Sequence, residues 1–138
     1  SRAMQLYTKA ELLAVQNQLE EALSTFDSIP FYFPEHALLD DVLFQKANIK
    51  HKQGKYDEQA TLLKQVLKNY TEDLLADNAC YQLGLLYENQ LDDAEQAMTY
   101  YKTIITDYTD SVLATEARKR FRALRGDAPD VEPWLFTP

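Results

Sequence analysis

The apolar residues of this chain recur at helical spacing, in blocks of nearly constant length. Between residues 2 and 15, Leu6, Ala10 and Leu13 fall on one helical face; from Leu19 to Ile29, Ala22, Phe26 and Ile29 do the same. A third block, from about Ala37 to Gln53, aligns Leu39, Val42, Leu43 and Ala47, and a fourth, from Tyr56 to about Asn69, aligns Leu62, Leu63, Val66 and Leu67. Two further blocks, 73–90 and 94–107, flank a break at Leu91-Asp92-Asp93. The last block, 111–125, carries Ala114, Ala117, Phe121 and Leu124. Seven amphipathic helices predict an all-α chain. The punctuation agrees: Gln16-Asn17-Gln18 reads as a turn, and Gly54 and Gly126 as helix-ending glycines. Pro30 should stop the second helix, because its ring clashes with a continuing helix. Asp73 and Ser111 are each suited to cap the helix that follows.

The blocks are copies of one another. A shift of 37 residues carries Tyr7 to Phe44 and then Tyr81, and Ala10 to Ala47 and then Gly84. It carries Phe26 to Leu63, Ile29 to Val66 and Pro34 to Thr71. The next step, Leu63 to Tyr101 and Thr71 to Thr109, is 38, so the third copy holds one inserted residue. Each copy is a pair of helices that cannot bury its apolar stripes alone, so neighbours must stack. The small residues let two helix backbones approach closely. Gly84, which costs about 1 kcal/mol in a helix interior, should be offset by such an approach.

In its small, aromatic and breaker positions the pattern resembles the tetratricopeptide repeat. Ala10, Ala22, Phe26 and Pro34 match it in the first copy, and Gly84, Tyr87, Ala97, Tyr101 and Thr109 in the third. The second copy keeps Ala47, Gly54, Tyr56 and Leu63 but departs elsewhere: Lys46 and Lys50 take usually apolar places, and Gln59 replaces a small residue, with Ala60 beside it. The 37-residue spacing is also longer than the family's common one. The resemblance implies a right-handed α-α superhelix of about three hairpins, at about 3–36, 37–72 and 73–110, plus a C-terminal capping helix at 111–125. These make one repeat domain, 1–125, followed by an extended tail, 126–138. Because the chain opens inside a helical pattern, we expect a C-terminal fragment of a longer, bacterial repeat protein.

Charge narrows the partners. The net charge of −8 is uneven: residues 1–111 hold 9 basic and 18 acidic side chains, 112–125 hold five basic and one acidic, and 126–138 hold three acidic and none basic. An acidic body argues against nucleic acid, which needs clustered Lys and Arg. The basic last helix reads as a solvated face with favourable charges at a helix C-terminus. No apolar run approaches the roughly 18 residues of a membrane span. The single Cys80 excludes an internal disulfide and sits on an apolar stripe, as a small buried hydrophobe would.

Candidate chemistry is sparse. His36 and His51 stand 15 apart with no partner at i+4, and no glycine-rich phosphate loop exists. The paired acids Asp40-Asp41 and Asp92-Asp93 lie near helix starts, where they favour the helix dipole. We therefore expect no enzyme, no cofactor and no metal. What remains is a binding surface. In the resembled family the position of Tyr7, Phe44 and Tyr81 faces a concave groove, and its next equivalent is Lys119. Glu11, Asn48 and Leu85 follow four residues after the aromatics, on the same helical face. These seven residues are the candidate partner-binding groove for a protein or peptide; the alternative is that the aromatics only fill gaps between hairpins. Self-association is the rival function, through the groove or through Trp134-Leu135-Phe136. The connector Phe31-Tyr32-Phe33-Pro34 should plug the joint between the first two copies, or else form an exposed docking patch.

Overall fold

The computed structural model describes residues 1–70 and 74–127. Seven α-helices and no strand are present among them: α1 (Arg2–Val15), α2 (Leu19–Tyr32), α3 (Leu39–Lys52), α4 (Tyr56–Asn69), α5 (Ala76–Asn89), α6 (Ala94–Asp107) and α7 (Ala114–Arg125). Of the expected tail, residues 128–138 with Trp134-Leu135-Phe136 lie outside the described residues, as does Asp73. The chain divides into two compact units, Ser1–Ala79 and Cys80–Pro138, with the division inside α5.

In the first unit α1 packs antiparallel on α2, α2 on α3, and α3 on α4. Ala3, Tyr7 and Ala10 of α1 meet Ala22, Leu23, Phe26 and Ile29 of α2, and Val42 and Ile49 of α3 extend the same core. Within the second unit α7 packs on α6. There α5 meets α6 where Gly84 lies under the Tyr101 ring.

The repeat step is visible in the helix starts. Arg2, Leu39 and Ala76 open α1, α3 and α5 at intervals of 37, and Leu19, Tyr56 and Ala94 open α2, α4 and α6 at 37 and then 38. The inserted residue therefore lies in the hairpin turn of the third copy. The turns of the first two copies are built alike. Asn17 (φ 62°) and Gly54 (φ 72°) take the left-handed conformation. Their main-chain bonds, Gln18 N to Leu13 O and Asn17 N to Ala14 O, and Lys55 N to Lys50 O and Gly54 N to His51 O, form the Schellman pattern. The longer third turn uses Asp92 (φ 50°). Asp93 then caps α6 by accepting from Gln96 N at 3.1 Å.

Three expectations need correction. Pro30 does not stop α2, which runs on to Tyr32. Pro30 sits so close to the C-terminus that only one bond is lost, and Phe33 N still closes on Ile29 O at 2.7 Å. The helices α3 and α7 begin at Leu39 and Ala114, later than 37 and 111. A tight turn precedes each, closed by Leu39 N to His36 O and Ala114 N to Ser111 O. Ser111 is accordingly no N-cap; its Oγ accepts from Leu113 N within that turn, as His36 Nδ1 accepts from Leu38 N. Finally, Phe31 and Tyr32 plug nothing in the first unit. They stand 78% and 66% exposed, their rings edge to face at 4.9 Å, and only Phe33 packs on the core.

Candidate interaction surface

The first helix of each hairpin carries the expected binding residues, and each unit presents its own set. In the first unit, Tyr7 of α1 is 8% exposed, and its ring meets Phe26 edge-on at 5.5 Å. The ring belongs to the core, while the hydroxyl reaches a polar face, hydrogen-bonding with Gln45 near Glu11, Asp41 and Asp40. Burial raises its pKa; the Gln45 bond opposes that shift, and the three carboxylates add to it. Glu11 and Asn48 are exposed. Phe44 is half-buried and stands outside the core cluster built on α1 and α2.

In the second unit, Tyr81 and Leu85 of α5 are half-buried and Lys119 of α7 is exposed. The Tyr81 ring lies 6.1 Å from that of the fully buried Tyr101. Around them runs a polar network that sequence reasoning missed. The Tyr101 hydroxyl donates to Glu88 Oε1 at 2.6 Å. Arg120 donates to the same carboxylate oxygen at 3.3 Å, also hydrogen-bonds with Tyr81, and lies 3.4 Å from Glu116. Burial pushes the Tyr101 hydroxyl well above its ordinary pKa, and the hydrogen bond to Glu88 and that carboxylate's charge push the same way. One sign was available: Glu88 lies seven residues after Tyr81, on the same face of a helix.

The two histidines and the single cysteine make local contacts or are buried. His36 closes a turn, and His51 pairs through Nδ1 with Oε1 of the buried Gln59 at 3.0 Å. Cys80 is fully buried. Among the described residues no group of three His, Cys, Asp or Glu is arranged to hold a metal, and no helix is long and apolar enough to cross a membrane.

The recurring hairpins with a small residue facing a large one find a direct counterpart. The family model described as "Tetratricopeptide repeat" matches residues 41–72 and 79–111. These two segments are tetratricopeptide repeats. The two matched tetratricopeptide repeats are the second and third copies, and they include the copy with lysines in apolar places. No curated relative matches the chain. Among solved structures, a tetratricopeptide repeat protein from Parabacteroides merdae is similar, at 20% identity and a TM-score of 0.47. That match covers 90% of this chain and 60% of the other, so this chain spans about 60% of that protein's length. Tetratricopeptide repeats generally mediate protein–protein interaction.

Proposed function

We propose that the chain is a non-enzymatic interaction scaffold that holds a peptide or helix segment of a protein partner against the first-helix faces of its hairpins. Phe44 and Asn48 would anchor that segment in the first unit, with Glu11 and the Tyr7 hydroxyl beside them, and Tyr81, Leu85 and Lys119 would serve in the second. The observation that supports this reading most is Phe44: a large aromatic side chain left half exposed on a family repeat, at the position whose equivalent Tyr7 is buried. Aromatic anchors dominate many interfaces.

The test has two steps. A partner captured with this chain is purified, and its affinity is then measured by calorimetry against the wild type, Phe44→Ala and Tyr81→Ala. We expect each substitution to weaken binding by more than about 1 kcal/mol. Unchanged affinity for both variants overturns the assignment of the face. Tyr7 is no suitable probe, because its truncation would open the core.

A second reading, self-association, is favoured by the exposed Phe31–Tyr32 pair. Sedimentation of the wild type against Phe31→Ser/Tyr32→Ser separates it from the first; a monomer at all concentrations removes it.

A further inference from the structure

Between α6 and α7 lies a groove of about 270 Å³. Its floor is Ile105 and Phe121; its rim is cationic, with Lys102, Arg118, Arg122 and Arg125. This cationic rim belongs to a chain whose net charge is −8. Lys102 and Arg118 are exposed and have no carboxylate partner among the described residues.

The first unit holds an equivalent groove, there with a further helix beside it. Two repeat steps place Asp27, Lys46 and Lys50 on Lys102, Phe121 and Arg125. There the cavity beside α2 and α3, lined by Asp27, Lys46 and Lys50, is bounded on its other side by Glu58, Thr61 and Leu62 of α4. A carboxylate of α4 meets a lysine of α3 across it, Lys50 pairing with Glu58 at 3.5 Å. In the second unit no described helix follows α7 to take that place.

The chain's own path points to what does. At Gly126 the backbone turns into the left-handed region (φ 93°), and Asp127 N closes on Arg122 O at 2.9 Å. The Asp127 carboxylate then pairs with Arg125, accepting from its Nε at 3.0 Å. The Arg125 guanidinium itself lies 5.1 Å above the Phe121 ring. So the second residue after α7 is already bonded to the rim of the groove. The eleven residues that follow, 128–138, carry Asp130 and Glu132, no basic side chain, and the apolar run Trp134-Leu135-Phe136. Their charge is opposite to the rim, and their apolar run suits the floor. Reach is no obstacle. Seven extended residues cover about 23 Å at about 3.3 Å each, whereas a twelve-residue helix such as α7 is only about 18 Å long.

We infer that residues 128–138 dock into the α6–α7 groove of their own chain, with Asp130 and Glu132 against Lys102 and Arg118 and the Trp134-Leu135-Phe136 run on Ile105 and Phe121. The segment takes the place beside the groove that α4 holds in the first unit. Tethering favours this occupant over any free one, because a short linker holds it at an effective concentration of about a millimolar.

Trp134 is the chain's single tryptophan and serves as the reporter. The full chain is compared with a free peptide of residues 127–138 by emission maximum and acrylamide quenching, with sedimentation run on the same samples. We expect a monomer whose Trp134 emits to the blue of the peptide and is quenched less. Two double variants, Lys102→Glu/Arg118→Glu in the groove and Asp130→Lys/Glu132→Lys in the tail, should each return emission and quenching to the peptide's values, with far-UV circular dichroism unchanged. The tail variant leaves the helices intact, so the test survives if the groove variant fails to fold. Emission equal to the peptide's in the wild type overturns the inference. Shielding that neither variant relieves does so too, as does shielding that appears only with a concentration-dependent dimer, which would make a second copy the occupant.

Discussion

Gly84 has no room for a methyl group. A Cβ built on it would stand within 2.8 Å of three atoms of the Tyr101 ring, Cδ1, Cε1 and Cζ. That ring cannot swing away, since it is fully buried and its hydroxyl is held by Glu88. The three copies show how the fit arose. Ala10 and Ala47 are the equivalents of Gly84, and Phe26 and Leu63 those of Tyr101, so the smallest residue occurs where the facing side chain is largest. Gly84→Ala should therefore destabilise the chain by about 1–3 kcal/mol through overpacking, although alanine is the better helix former by about 1 kcal/mol. Urea unfolding checks this, and a stabilised Ala variant would show that Tyr101 can yield. Gly54 makes the opposite case. Nothing lies within 4 Å of its Cβ position, but its φ of +72° strains any L side chain. Asn17 occupies the equivalent place at φ 62°. Gly54→Asn should therefore cost less than Gly54→Ala, which should lose about 1 kcal/mol; the same unfolding midpoints decide the order.

At the scale of the helix pair, the second copy shows how a repeat absorbs polar residues in apolar places. Lys46 and Lys50 keep only 21% and 16% of their side chains exposed, and they are held by Asp27 at 2.6 Å and Glu58 at 3.5 Å. Gln59 is buried in the place of a small residue and is met by His51. Ion pairs with one exposed partner contribute little, and buried ones are often replaceable by apolar residues without loss. Lys46→Leu should thus hold stability within about 1 kcal/mol of the wild type or raise it. A larger loss would make the Asp27 pair a real support of the α2–α3 contact. Most of this architecture was legible beforehand, because period and breaker residues are properties of the sequence itself: α1, α4 and α6 start and end where the apolar blocks do. The starts of α3 and α7 were not legible, since a main-chain bond closing a turn ahead of each helix leaves no compositional mark. Pro30 misled because its effect depends on how near the helix end lies. The Glu88–Arg120 bond joins residues 32 apart with no repeat relation, so neither periodicity nor spacing could reveal it. Of the candidate groove residues, Tyr7 turns its ring inward, and that follows from the size of the gap beside Phe26, which only packing defines.

At the scale of the whole molecule, a tyrosine in each compact unit has its hydroxyl kept protonated by its surroundings: Tyr7 in the first, Tyr101 in the second. Both pKa values are raised above the ordinary 10.0, first of all by burial. The sign of the consequence follows by linkage. A group whose pKa is higher folded than unfolded releases its proton more readily from the unfolded chain, so its contribution is complete below the unfolded pKa and declines as pH rises above it. Stability should be insensitive to these two groups up to about pH 9 and should fall steadily above about pH 10. Tyr101→Phe should flatten that alkaline fall while lowering stability at neutral pH, because Glu88 loses a hydrogen bond but keeps Arg120. Tyr7→Phe should flatten it by a smaller amount, since Gln45 and three carboxylates pull on its hydroxyl in opposite directions. Urea midpoints taken at several pH values between about 8 and 11, alongside absorbance of tyrosinate, measure both effects. If the wild type and both variants declined in parallel, the alkaline loss would have to come from other groups, and burial of these two hydroxyls would have no thermodynamic weight.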